Sequence, residues 1–184
     1  MFRTTALGYP QGMLEYFVTA APIGSVVVIA EDNTVLRHIY MTARAPDRAR
    51  AWIARLHPDA RYAPRLLPGF QKQLRDYFAG KPVRFDVDID LGNVSEFRRK
   101  VLTACAQLDY GQTATYGELA QRIGKPLASR AVGAALGQNR LPLVIPCHRV
   151  VGCNGSLGGF SAEQGIAVKR WLLDLEAGKR RATL

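Results

Sequence analysis

From Leu14 to Met41 the chain reads "LEYFVTAAPIGSVVVIAEDNTVLRHIYM", with apolar residues in alternation and in short unbroken stretches. Two β-rich runs, "SVVVIA" and "TVLRHIYM", flank the turn cluster "EDN", which predicts a hairpin. The period then changes. "APDRARAWIARLH" sets Ala49, Trp52, Ile53 and Leu56 at helical spacing behind Pro46 and Asp47. "PGFQKQLRDYFAG" does the same with Phe70, Leu74, Tyr77 and Phe78, and Gly80 supplies a stop. "VRFDVDIDL" returns to period two and predicts one further strand. Residues 1–92 therefore read as a small α/β domain.

Residues 93–178 change character. Ser95 is placed to cap a helix whose stripe is Phe97, Val101, Leu102, Cys105 and Leu108. "TYGE", Thr115 to Glu118, matches a capping box, and Leu119 and Ile123 continue that short helix. "GKP" then predicts a three-residue turn, with Pro126 starting the next helix at its first position. Helix, short glycine-containing turn and helix is the pattern of a helix-turn-helix. A last helix, "AVKRWLLDLEA", turns Val168, Trp171, Leu172 and Leu175 inward. Residues 179–184 read as a basic end that frays.

At 184 residues, 48% hydrophobic and 22% charged, the chain suits one domain or a small one joined to a second. Cys105, Cys147 and Cys153 are an odd number without paired spacing, so no disulfide framework is expected. Cys147 and Cys153 are too far apart for CxxC, and His38 and His57 lie in distant segments. No metal site is expected. The chain opens without a charged-then-apolar leader, and its longest apolar run is far shorter than a membrane span. A reduced, cytoplasmic protein with no membrane contact is the expectation. The net charge of +10 points to an anionic partner, nucleic acid first, against the plainer alternative of an arginine-rich proteome.

Two segments carry candidate chemistry. The helix "PLASRAVGAALGQN" is nearly bare: Ala128, Ser129, Ala131, Gly133, Ala134 and Ala135 leave Arg130 as its long polar side chain. Small side chains suit tight helix packing, and they equally suit close approach to a narrow groove held by phosphate contacts, with Arg130 entering the base stack. The run "LVIPCHRVVG" sets Cys147 beside His148 and Arg149 within apolar neighbours. A thiol is nucleophilic as thiolate, and adjacent side chains diverge, so His148 reaches Cys147 only through a bridging water or a sharp turn, for which Pro146 is placed. Glu176 is the first carboxylate to test as the group that orients His148. A merely buried Cys147 stays open on the residues alone.

Taken in order, "YG" before the "TYGELA" helix, "RAVG", an Asn eight residues before the cysteine, "IPCHRV", "GGFS" and "K.WLL..E" resemble the O6-alkylguanine-DNA alkyltransferases, also called methylated-DNA–protein-cysteine methyltransferases. The likeness runs from about Ser95 to Glu176, and the first half joins it loosely through "APIG", "YFAG" and "RFDVDIDL". It implies a ribonuclease H-like N-terminal domain, a small antiparallel sheet with helices, joined to a mostly α domain with a winged-helix-like helix-turn-helix. Cys147 would be the alkyl acceptor, activated through water by His148, with Glu176 orienting the imidazole and Asn139 holding the hinge before the thiol. Tyr116 would push on the target phosphate and give a proton to the departing guanine. Arg130 would fill the gap left by the flipped nucleotide, on a helix presenting Ala128, Ser129, Ala131 and Gly133 to DNA. The backbone at Cys147 and Val150 would accept hydrogen bonds from the base, Ser161 would face O6, Phe160 would line the pocket and Lys169 would brace the site.

The resemblance further implies double-stranded DNA containing O6-alkylguanine as the partner, O4-alkylthymine as a candidate second substrate, no diffusible cofactor and a monomer, with cooperation along DNA open. Sulfur attack leaves a thioether, a poor leaving group, so one turnover is expected. The chain departs from the common pattern at Asp109-Tyr110-Gly111, Asn139-Arg140, Leu102, Phe160 and the longer loop "SAEQG". The rival of another class is a non-enzymatic lesion-binding protein of alkyltransferase-like type, in which Trp replaces the cysteine. A sequence-specific regulator is disfavoured by the bare helix, and a papain-like hydrolase by the adjacency of Cys147 and His148.

Overall fold

Strands β1 (Leu14–Ala21), β2 (Gly24–Glu31) and β3 (Val35–Thr42) form two consecutive hairpins in the computed structural model, which describes residues 12–179 and Leu184. The expected hairpin is β2–β3. Its turn holds Asp32 at φ 49 and Asn33 at φ 54, the left-handed pair that a tight primed turn requires and that short polar side chains tolerate. β1 is an extra strand, folded back at Gly24, where φ is 107 and a Cβ would lie 2.3 Å from the Thr42 carbonyl oxygen.

The central strand β2 is buried on both faces from Ser25 to Glu31. Helix α1 (Pro46–Leu56) covers one face, packing Ala49 and Ile53 on Tyr16, Val27 and Ile29. Each fully buried Val or Ile contributes about 1.5–3 kcal/mol, so this contact supplies much of the local stability. Trp52 is half-buried, and Leu56, expected to face inward, is 50% exposed at the helix end. Helix α2 (Pro68–Phe78) buries Phe70, Leu74 and Tyr77, stops at Gly80 and leaves Phe78 half-buried.

The sheet order is β4-β1-β2-β3-β5, with β4 (Arg61–Tyr62) parallel to β1 and β5 (Asp88–Ile89) parallel to β3. This corrects the wholly antiparallel sheet. It also shrinks the strand expected over "VRFDVDIDL" to two residues. Gln73 of α2 explains the loss: its side chain accepts from the Asp86 amide at 3.1 Å and donates to the Arg84 carbonyl at 3.4 Å, so a helix takes the bonds a strand would have made. Arg37 bridges Glu31 and Asp90, fixing what remains of β5.

Contact density divides the chain between Asn93 and Val94. The second unit holds α3 (Glu96–Ala106), α4 (Tyr116–Arg122), α5 (Ser129–Gly137), α6 (Ile166–Glu176) and the parallel pair β6 (Ala114–Thr115) and β7 (Val150–Val151). Ser95 caps α3, accepting the Arg98 amide at 3.3 Å, and Thr115 and Glu118 complete a capping box on α4. Cys105 lies on the buried face of α3 as a core residue. Pro126 does not start α5. It is the second residue of a turn closed by the Ala128 amide on the Lys125 carbonyl at 2.9 Å, and the helix begins after it. α6 buries Val168, Trp171 and Leu172, with Leu175 half-buried. Of the basic end, residues 180–183 lie outside the described residues, while the Leu184 amide donates to the Pro22 carbonyl at 3.0 Å.

Candidate active site

The segment after α5 is shaped by one side chain. Asn139, buried, accepts the Leu141 amide on Oδ1 at 3.0 Å and donates from Nδ2 to the Ile145 carbonyl at 2.8 Å and to Cys147 Sγ at 3.1 Å. Leu143 is held at φ 73 within this span, so the loop is bent by contacts rather than by local preference. Pro146 then takes φ −80 and ψ 64 with the Cys147 amide on the Ile145 carbonyl at 2.8 Å, an inverse γ-turn. A turn thus forms at Pro146, but it precedes Cys147 and does not itself bring His148 onto the thiol. A single 3₁₀ turn, Cys147–Arg149, follows and fans the three side chains about 120° apart.

His148 and Arg149 converge on Glu176, the last residue of α6. His148 Nε2 lies 2.8 Å from Glu176 Oε1, Arg149 Nε donates to Oε2 at 2.9 Å and Nη2 to Oε1 at 2.9 Å. The Gly111 amide adds a bond to Oε2 at 2.9 Å, and Arg149 Nη1 donates to the Leu108 carbonyl at 2.6 Å. Four donors thus satisfy one buried carboxylate. Burial alone raises its pKa, but the hydrogen bonds of His148 and Arg149, with the charge of Arg149, outweigh it and hold the carboxyl well below its ordinary range. Burial pushes His148 down against the pull of Glu176, so the ring is neutral, donates from Nε2 and keeps its lone pair on Nδ1.

Cys147 is 6% exposed. Burial pushes its thiol up, opposed by the Asn139 bond, by the charge of Lys169 and by the amides of Cys147 and His148. Lys169, fully buried in α6, donates to the Val150 carbonyl at 2.7 Å and lies 3.4 Å from Tyr116 Oη. Burial raises the Tyr116 hydroxyl, and the nearby Cys147 raises it further. Tyr116 therefore stays protonated and able to donate.

A cavity of about 650 Å³ opens beside these groups, walled by Tyr116, Arg130, Gly133, Phe160 and Ser161, with Cys153 at its edge. Ser129 also faces it, while Ala128 is half-buried and Ala131 exposed on the same helix. Phe160 meets His148 edge-on, ring centroids 6.4 Å apart. Cys147 itself, 6% exposed, is not among the residues that line this cavity. The structure thus gathers Cys147, His148, Glu176, Asn139, Tyr116 and Lys169, with Phe160, Arg130 and Ser161 on the cavity side. The Val150 carbonyl already serves Lys169, leaving one lone pair for another donor.

Three participants went unread in the sequence. Arg149 was visible as a charge in an apolar run, but nothing local showed that it would clamp Glu176. Gly111 contributes only an amide, which no residue pattern reveals. Gly158 packs against Tyr116, where a Cβ would sit 2.6 Å from Oη.

Residues 96–178 match a family model described as the DNA-binding domain of 6-O-methylguanine DNA methyltransferase. A methylated-DNA–protein-cysteine methyltransferase from Mycolicibacterium paratuberculosis is 39% identical over 173 residues, 94% of this chain and 98% of that protein. The chain belongs to this family. Among solved methyltransferase structures, the O6-methylguanine methyltransferase of Mycobacterium tuberculosis is similar at a TM-score of 0.76 and 35% identity, covering 92% of this chain and 96% of that one. The same organism's OGT in complex with DNA gives a TM-score of 0.77 over the same shares. A methyltransferase of this mixed α/β fold carries six α-helices among its described residues.

Proposed function

We propose that this protein reverses DNA alkylation directly, moving the alkyl group of O6-alkylguanine in duplex DNA onto its own Cys147 in one irreversible turnover. The observation that carries this function is a thiol held by Asn139 beside the His148–Glu176–Arg149 cluster, with a cavity bordered by Tyr116 and the bare helix α5 in the same unit. The base must leave the stack to reach it, and a mispaired lesion lowers that cost. Arg130, exposed on α5, takes the vacated place. Because Cys147 does not line the cavity, the lining must yield as the base enters.

His148 Nδ1 takes the thiol proton through one water, while Glu176 stabilises the imidazolium that forms. The sulfur lone pair forms the S–C bond as the C–O6 bond breaks, and its electrons pass into the guanine. Tyr116 gives that anion a proton, and Lys169 steadies the phenolate left behind. Acceptor and base lie on one chain, so the reaction needs neither a second subunit nor a diffusible cofactor, and a monomer suffices.

The same family membership supports the finer fold: a ribonuclease H-like domain over 1–92 and a winged-helix-like domain over 93–178, with β6–β7 as the strand pair beside α4 and α5. O4-alkylthymine is the candidate second substrate. No helix among the described residues is long and apolar enough to cross a membrane, and the protein's place is with cytoplasmic DNA.

The deciding experiment incubates the protein with a duplex containing O6-methylguanine and weighs the Cys147 peptide. One methyl per protein is expected, with none in Cys147→Ala, which still binds the lesion. Tight binding by the parent protein without methyl gain would instead mark a lesion-binding protein, and the absence of both binding and methyl gain would sink either reading. Arg130→Ala is expected to slow transfer from duplex far more than from the free base.

A further inference from the structure

We infer that Leu127 is a second probe of the double helix, an apolar side chain that the turn between α4 and α5 presses into the minor groove at the base step next to the one Arg130 enters. This rests on the repair function above for the identity of the nucleic acid. Leu127 is 99% exposed, far beyond the 39% to 55% of the other exposed large apolar residues. An isolated surface leucine needs no explanation by itself. Three features of its setting set this one apart.

The first is rigidity. At the end of α4, Lys125 donates its amide to the Ala120 carbonyl at 2.9 Å and Gly124 donates to Gln121 at 2.9 Å, a Schellman closure with Gly124 at φ 71. The Lys125–Ala128 turn follows at once, its second residue fixed by the Pro126 ring, and the Val132 amide on the Ala128 carbonyl at 2.8 Å opens α5. Leu127 is therefore displayed from backbone bonded on both sides, and holding it against a partner costs little further ordering.

The second is position. Leu127 stands three residues before Arg130, and the residues around them, Ala128, Ser129, Ala131 and Gly133, are too small to hold a duplex away. A side chain at this corner reaches any surface that α5 approaches. The third is charge. Exposed Lys125 and Arg122 flank the turn, and the chain from Val94 onward carries thirteen Lys and Arg against six Asp and Glu. Such a rim favours a polyanion over a protein partner. Minor-groove walls present sugar C–H and base edges, where leucine serves as a wedge between steps and reads no hydrogen-bond code.

The test measures binding of the full chain to unmodified duplex by fluorescence anisotropy over a range of salt. Leu127→Ala is expected to weaken binding roughly tenfold at every salt concentration, the loss of one buried apolar contact. The slope of log K against log salt stays unchanged, whereas Lys125→Ala lowers it by about one. Leu127→Met restores affinity, and 2-aminopurine placed within the same unmodified duplex brightens less with Leu127→Ala than with the parent protein. Parent-like affinity and brightness in Leu127→Ala would overturn the inference, as would a loss confined to the salt slope or a change of oligomeric state in its place. Binding is read without alkyl transfer, so a parent protein that gains no methyl defeats the repair function while this comparison still decides Leu127.

Discussion

Arg149 grips both oxygens of Glu176, Nε to Oε2 and Nη2 to Oε1, each at 2.9 Å, while His148 shares Oε1 at 2.8 Å. Both partners hold the carboxylate ionised, and because the guanidinium brings a permanent charge, His148 can stay uncharged until it accepts a proton. Removing the fork leaves a buried charge uncompensated. Arg149→Ala is expected to cost about 3–5 kcal/mol in urea unfolding and to slow methyl transfer. Arg149→Lys keeps the charge without the two-pronged geometry and should fall between. Unchanged stability in Arg149→Ala would show that the pair is dispensable.

Acid should loosen the second unit in two stages. His148 has a folded pKa below its ordinary 6.5, so the unfolded chain binds the proton more readily and stability falls as pH drops below 6.5. Glu176 is likewise depressed from its ordinary 4.5, so its contribution is full above that value and fades below it. Urea midpoints from pH 8 to pH 4 are expected to decline from near 6.5 downward. His57, also lowered by burial, acts with the same sign, so His148→Gln must flatten part of the upper decline rather than all of it. A midpoint equal at pH 7 and pH 5 contradicts the assignment.

Gly158→Ala places a methyl 2.6 Å from Tyr116 Oη and must displace the ring. Gly158 is half-buried at the cavity wall, so the fold should survive. Transfer is expected to slow by about 10- to 100-fold, the usual cost of moving an aligned group by an ångström. Equal rates in single-turnover kinetics would mean that Tyr116 needs no fixed position.

The three thiols should separate by accessibility. Cys153 is exposed, Cys147 nearly closed and Cys105 wholly buried, with burial raising Cys105 well above its ordinary range. Ellman's reagent is expected to find Cys153 at once, Cys147 slowly and Cys105 only on unfolding. Because Cys153 borders the cavity, a maleimide on it should hinder transfer, whereas Cys153→Ser should not. Fast labelling of Cys105 would refute the order.

Much of the site was legible because its chemistry sits in short motifs. The Pro146 turn, the Thr115–Glu118 box and the inward stripe of α6 follow from local rules that tertiary contacts did not override. The misreadings share one cause. "VRFDVDIDL" has strand periodicity, but Gln73 claims its backbone, and Pro126 suits a helix start, but the Lys125–Ala128 turn claims it first. β1 was hidden in a stretch whose alternation has no clean boundary. Arg149 and Gly111 meet Glu176 only after the chain has folded over 27 and 65 positions, distances at which sequence pattern is silent.

Glu176 closes α6, so the carboxylate is synthesised well after the thiol it serves. A nascent chain that has emerged only as far as Trp171 already contains its nucleophile, yet lacks the carboxylate that joins the imidazole to the guanidinium. The imidazole therefore gains its acidic partner only once the last helix is complete.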